Sequence, residues 1–234
     1  MGLNIEPKKT YLSMNKGKVC LRCKADTPGA VTRLTKDGEP IHELQFSNIS
    51  GHLLKISTRE GKFGPQWILD IRDLRSNEDF VLQFPYSGGY TGSFFSQLPN
   101  IDLTKEIKFC PYSKEVVKDD GKTVDKVSVY LHQDGKGVDW FFTKDDMKDL
   151  PPMVKIKVKG KDTWDDSAQL EYFERMAKEK NEGMEIIARE YSYVGNAPKP
   201  EPVTVSAIEQ HIDNDLPMDD IPVDDPHPDS ELPF

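Results

Sequence analysis

Residues 41–84 read IHELQFSNISGHLLKISTREGKFGPQWILDIRDLRSNEDFVLQF, and their pattern is the clearest indication of the fold class. Apolar and polar residues alternate in it as they do in half-buried β-strands. The predicted strands are 41–46, 52–59, 66–73 and 79–84. Turn-forming residues separate them at Ser50-Gly51, Gly61–Pro65 and Ser76-Asn77, so we expect antiparallel hairpins. Trp67 falls on the inward face of its strand, which predicts a core position.

The chain on either side of this stretch adds further short elements. Leu12–Met14 and Lys18–Leu21 are compatible with short edge strands. The Gly-rich run 87–99, SGGYTGSFFSQLP, predicts a loop followed by one or two helical turns. Alternating patterns then predict strands at 105–110, 126–132, 138–143 and 152–159. A capping-box-like start at Thr163 predicts a helix over about 163–181, with an apolar face formed by Leu170, Phe173, Met176 and Ala177.

The order of these elements indicates the fold class. Many short antiparallel strands, a small helix between the early and late strands, and a closing hairpin are typical of a five-stranded Greek-key barrel of the OB type. More than five strands are predicted. We therefore expect a mainly β protein with an embellished OB-fold-like barrel and a C-terminal helix in residues 1–195. Another small barrel or a sandwich is compatible with the same pattern.

Residues 196–234, NAPKPEPVTVSAIEQHIDNDLPMDDIPVDDPHPDSELPF, differ from the rest of the chain. Eight prolines interrupt this segment, and residues 200–234 carry ten carboxylates and no Lys or Arg. The whole chain has a formal net charge of −9, so residues 1–199 carry about +1. Such a composition cannot bury enough apolar surface to offset its ordering entropy, which predicts a disordered acidic tail. Because the excess negative charge is concentrated in the tail, a basic groove in residues 1–199 is compatible with the acidic composition of the whole chain.

The tail ends in residues of a particular kind. Met218-Asp219-Asp220-Ile221-Pro222 and the final Asp229-Ser230-Glu231-Leu232-Pro233-Phe234 combine acidic residues with an apolar, proline-containing tip. This ending resembles that of bacterial and phage single-stranded-DNA-binding proteins. It departs from their commonest form at Leu232, where isoleucine is usual, and in the prolines that break the aspartate run. The similarity covers the tail only.

The resemblance implies a function. A protein of this family binds single-stranded DNA largely without sequence preference during replication, recombination or repair. Its tail tip recruits replication or recombination proteins, a role that would here fall to Asp229, Glu231, Leu232, Pro233 and Phe234. We then expect the cytoplasm of a bacterial cell or a phage-infected host as the location. The sequence leaves the oligomeric state open.

Candidate DNA-contacting residues follow from strand alternation. Aromatic rings stack on bases, and Lys or Arg side chains follow the phosphates. With Ile107, Phe109, Val129 and Leu131 facing the core, their neighbours along the strands face outward. The predicted interface consists of Arg59, Arg72, Lys108, Tyr112, Tyr130, His132 and Trp140. Arg75 is a further candidate for a phosphate contact.

Other functions have weaker support. The sequence contains no P-loop, no His-Glu-x-x-His and no nucleophile elbow, so we expect no enzymatic activity and no cofactor. Cys20 and Cys23 form a single CxxC without a second paired motif, and small buried apolar residues are the simpler interpretation. No apolar run reaches membrane-spanning length. Two alternatives remain, a protein-only β-barrel adaptor and a metal-dependent nuclease that uses the pairs Asp145-Asp146 and Asp165-Asp166.

Overall fold

A computed structural model of the chain describes residues 9–35, 37–62, 64–117, 121, 123–158 and 160–194. These residues form a mainly β structure with two α-helices. The strands are β1 (Thr10–Asn15), β2 (Lys18–Arg22), β3 (Val31–Leu34), β4 (Pro40–Phe46), β5 (Ile49–Gly61), β6 (Gly64–Asp73), β7 (Glu78–Pro85), β8 (Ile107–Val117), β9 (Thr123–Gln133), β10 (Lys136–Gly137), β11 (Val154–Val158) and β12 (Lys161–Asp165). The helices are α1 (Gly89–Gln97), followed by a 3-10 turn at Leu98–Asn100, and α2 (Ser167–Val194).

Ten of the described strands form one mixed sheet in the order β10-β9-β8-β5-β6-β7-β1-β2-β4-β3, and β11 and β12 form a separate hairpin. All neighbouring strands are antiparallel except β1 and β7, which are parallel with Thr10 opposite Phe80. The long strand β5 pairs with β8 at Ile49–Gly51 and with β6 from His52 onward. One strand thus joins the β8–β9 hairpin to the rest of the sheet.

The sheet curls back on itself. The turn between β1 and β2 lies against the β8–β9 hairpin, although these strands are far apart in the strand order. Lys16 Nζ is 3.6 Å from Asp125 Oδ2 of β9, and the Gly17 N–H donates to the Tyr90 hydroxyl at 2.9 Å. The curled sheet encloses one core. Trp67 lies in this core and is 1 % exposed. Helix α1 contributes the buried rings of Phe94 and Phe95.

Helix α2 packs on the outside of the core through the apolar face that the sequence predicted. Phe173, Met176 and Ala177 are buried, and the Phe173 ring stacks on Phe95 with centroids 4.6 Å apart. Further along, the Asn181 amide donates to the Ile56 carbonyl at 2.7 Å and accepts from the Ile56 N–H at 2.8 Å. Asn181 therefore takes the place of a neighbouring strand at this point of β5.

Three predictions from the sequence need correction, because pairing overrides local pattern. Ser50-Gly51 is not a turn but part of β5, where a Cβ on Gly51 would lie 2.5 Å from Ile71 Cγ2. Residues 138–143 are not a strand, since the chain turns away and the Phe141 N–H donates to the Ser96 carbonyl of α1. Residues 163–165 belong to β12, which pairs with β11, so α2 begins only at Ser167 and continues to Val194.

Candidate nucleic-acid interface

The outer face of the β8–β9 hairpin gathers most of the predicted site. Ile107, Phe109 and Leu131 are fully buried, which confirms the predicted alternation on both strands. The register places Lys108 opposite His132, Cys110 opposite Tyr130, and Tyr112 opposite Ser128. Because side chains of directly opposed residues share a face, these side chains form one continuous surface. We call it the aromatic face.

Three aromatic rings cross this surface. The Tyr112 and Tyr130 centroids are 6.0 Å apart with an interplanar angle of 68°, and those of Tyr130 and Trp140 are 6.2 Å apart at 83°. Trp140 joins them from the loop after β10, although the strand predicted for it does not form. Tyr112 is 47 % exposed, and Tyr130 and Trp140 are half-buried. Rings held edge to face in this way keep ring surface accessible on the sheet.

Buried polar contacts from α1 hold the middle of this surface in place. The Gln97 amide donates to the Val129 carbonyl at 2.8 Å and accepts from the Leu131 N–H at 2.9 Å. The Ser93 hydroxyl accepts from the Val129 N–H at 2.8 Å. These hydrogen bonds are made to Val129 and Leu131, the residues immediately before and after Tyr130. Because β9 has β8 on its other edge, its backbone is fixed from both sides at the position that presents this ring.

Lysines lie at both ends of the aromatic face. Lys108 is exposed at one end, and Lys114 pairs with Lys126 at the other, two residues beyond Tyr112. Lys114 and Lys126 were not among the DNA contacts predicted from the sequence. The available signal was the same alternation that identified Tyr112, continued by one step along β8. Ammonium groups at both ends of a row of rings are the arrangement that contacts the phosphates of a stacked strand.

His132 borders a polar groove beside Lys108. The groove has a volume of about 370 Å³, and Ser50, Arg75, Glu106 and Asp134 also line it. In the described structure, His132 Nδ1 is buried without a hydrogen-bond partner. Burial, reinforced by the charge of Lys108, lowers the pKa of His132, so its imidazole is neutral at pH 7. Arg75 reaches the same groove, where it forms an ion pair with Glu106 at 3.0 Å.

Two predicted arginines lie outside the β8–β9 hairpin. Arg72 is on β6, where its guanidinium donates to both Asp79 carboxylate oxygens at 2.7 and 2.9 Å. Arg59 is exposed near the far end of β5, nine residues from Ser50, the residue opposite Lys108. At roughly 3.3 Å per residue this is about 30 Å along the strand. Of the seven predicted contacts, the structure brings together Lys108, Tyr112, Tyr130, His132 and Trp140.

The acidic pairs of the nuclease hypothesis make local contacts. Asp146 accepts from the Lys148 ammonium at 2.8 Å, and Asp165 accepts from the Ser167 hydroxyl and from the Ser167 N–H at the start of α2. These hydrogen bonds lower the pKa of both carboxyl groups. Among the described residues, no three His, Cys, Asp or Glu side chains lie close enough to hold a metal ion together. Cys20 is buried near Glu43, and burial raises the pKa of its thiol to about 11.

The predicted tail tip, Asp229 to Phe234, lies outside the described residues. In the part of the chain that is described, no helix is both long and apolar enough to cross a membrane. No protein-family model, no curated protein and no solved structure matches this chain.

Proposed function

We propose that this protein binds single-stranded DNA on the aromatic face, largely without sequence preference, during replication, recombination or repair. The observation that carries the proposal is the row of Tyr112, Tyr130 and Trp140 with lysines at both ends. Base stacking on such rings contributes about 1–3 kcal/mol per base and tolerates any sequence, because every base has a π-face. The lysines add a salt-dependent attraction to the phosphates.

The distribution of charge favours this face over the neighbouring one. The outer side of β6 and β7 carries Asp70 and Asp79, and these carboxylates already pair with Lys9 and Arg72. The outer side of β8 and β9 carries Lys108, Lys114 and Lys126, together with the rings. A polyanion is attracted to the second surface and gains little from the first.

We propose further that the curled sheet is an embellished OB-type barrel. Three features support this: β5 pairs with strands on both sides, α1 lies between β7 and β8, and β7 has a parallel neighbour. OB folds hold oligonucleotides on their strand surfaces and the loops beside them. In this chain the parallel neighbour is the early strand β1, and the β8–β9 hairpin that carries the rings extends beyond β5.

The tail is proposed to recruit partner proteins. Leu232, Pro233 and Phe234 supply a short apolar tip, and Asp229 and Glu231 supply charge beside it. A tip of this kind fills a pocket on a partner while the acidic residues contact a basic rim. The proposed partners are proteins of replication or recombination, and a pull-down with the full chain and its Phe234→Ala variant tests this part separately.

Fluorescence anisotropy with labelled oligo-dT and a duplex of equal length, at two salt concentrations, tests DNA binding. We expect salt-sensitive binding to the single strand. Tyr112→Ala should weaken it by about 5- to 150-fold, which corresponds to ~1–3 kcal/mol of lost stacking. Tyr11→Ala is the matched control, since Tyr11 is 53 % exposed but lies on β1. Absence of binding, or equal losses in both variants, would refute the assignment.

A further inference from the structure

The β11–β12 hairpin carries an exposed tryptophan. Trp164 is 60 % exposed and lies directly opposite Lys155, with Lys157 two residues further along β11. These three side chains share one face of the hairpin, together with Asp162, which forms an ion pair with Lys155 at 2.8 Å. Val154 and Ile156 occupy the opposite face. One face of the hairpin therefore combines a large ring with two ammonium groups and one carboxylate.

A pocket of about 250 Å³ opens beside Trp164. Its apolar lining includes Met153, Leu170 and Phe173, and its rim includes the polar side chains of Ser87 and Asp166. The Ser87 hydroxyl donates to Asp166 Oδ2. An apolar site with a carboxylate at its rim suits a nucleobase, which stacks on its faces and donates N–H groups from its edge.

The pocket lies close to the aromatic face. Gly88 and Thr91, at the beginning of α1, line it. Helix α1 runs beside β9, where Gly89 lies against the Val127 carbonyl and Gln97 bonds Leu131. The beginning of α1, which lines the pocket, therefore lies beside the part of β9 that carries Lys126.

We propose that the β11–β12 hairpin and this pocket form a second contact for the same DNA strand. A base occupies the pocket against Trp164, and Lys155 and Lys157 contact the adjoining phosphates. This inference rests on the proposed function, because it extends the path of the strand bound on the aromatic face. It assigns a role to Trp164, which the sequence pattern had placed in a helix.

The three tryptophans allow a direct test on the full chain. Trp67 is buried between Tyr86 and Phe95, so its emission provides a constant background. Trp140→Phe leaves Trp164 as the responsive ring, and Trp164→Phe leaves Trp140. Titration of both variants with oligo-dT should quench both. Quenching of Trp140 without any change at Trp164 would overturn the second contact and leave the proposed function standing. No binding by either variant would remove both.

Affinity measurements provide the second readout. Trp164→Ala should weaken binding of a long oligo-dT by about 5- to 150-fold and leave binding of an oligonucleotide that covers only the aromatic face unchanged. Val154→Thr is the control, since Val154 is 56 % exposed on the opposite face of the hairpin. Equal losses in both variants would overturn the proposal. So would sedimentation data in which Trp164→Ala dissociates a dimer, because the ring would then contact a second copy.

Discussion

Gln97 links the stability of the sheet to the presentation of Tyr130. Its side chain is 1 % exposed and bonds the Val129 carbonyl and the Leu131 N–H, two groups that no β-strand of the described residues reaches on that side. Gln97→Met keeps the length of the side chain and removes both bonds. A buried backbone group left unsatisfied costs about 1–3 kcal/mol, so the loss of both partners should lower the unfolding free energy by roughly 2–6 kcal/mol.

Gln133 provides a matched control. It also makes two hydrogen bonds to backbone, through Asp102, at 2.9 and 2.8 Å, but at an exposed position where water replaces them. Gln133→Met should therefore cost about 1 kcal/mol or less. Urea unfolding of both variants, with hydrogen exchange at Leu131, measures the difference. Similar losses in the two variants, or unchanged protection of the Leu131 amide in Gln97→Met, would refute the reasoning.

Three other outcomes are expected. Asn181→Ala should lose about 2 kcal/mol in urea unfolding, because two β5 backbone groups lose their partner. Gly89→Ala should lose about 3 kcal/mol or more, since its Cβ would lie 1.9 Å from a carbonyl of β9, whereas Gly137→Ala meets open space. Finally, the pKa of His132 is lowered in the folded protein, so as the pH falls this imidazole is protonated in the unfolded chain before it is protonated in the folded one. Stability should therefore fall as the pH drops below about 6.5, and His132→Gln should reduce that slope.

Much of the β structure could be predicted from alternation. The alternation of apolar and polar residues identified which side of β8 and β9 faces the core. It therefore also identified Lys108, Tyr112 and Tyr130 as outward residues. Alternation describes a single strand, and it cannot say which strands pair. The predicted turn at Ser50-Gly51 was wrong for this reason, because β5 continues through it to reach β8.

Long-range contacts explain the other differences. Trp164 follows a residue that is typical of a helix cap, but β11 pairs with its segment through a turn at Gly160, where φ is +79°. Trp140 lies in a segment whose sequence alternates as in a strand, but the N–H of its neighbour Phe141 donates to a carbonyl of α1. Lys114 and Lys126 become part of one surface only through the register of β8 against β9. The pattern along one segment does not show which other segment pairs with it or packs against it.

The way in which the sheet is joined has a consequence for folding during synthesis. Strands β1–β4, β5–β7 and β8–β9 each pair with near neighbours in the chain. Two short junctions connect these groups: the parallel β1–β7 pairing and the β5–β8 pairing at Ile49–Gly51. During synthesis, β1 therefore cannot pair with β7 until Phe80 has left the ribosome. In the same way, β5 cannot pair with β8 until Phe109 has left it. Because long loops must close first, these junctions should form last and limit the folding rate.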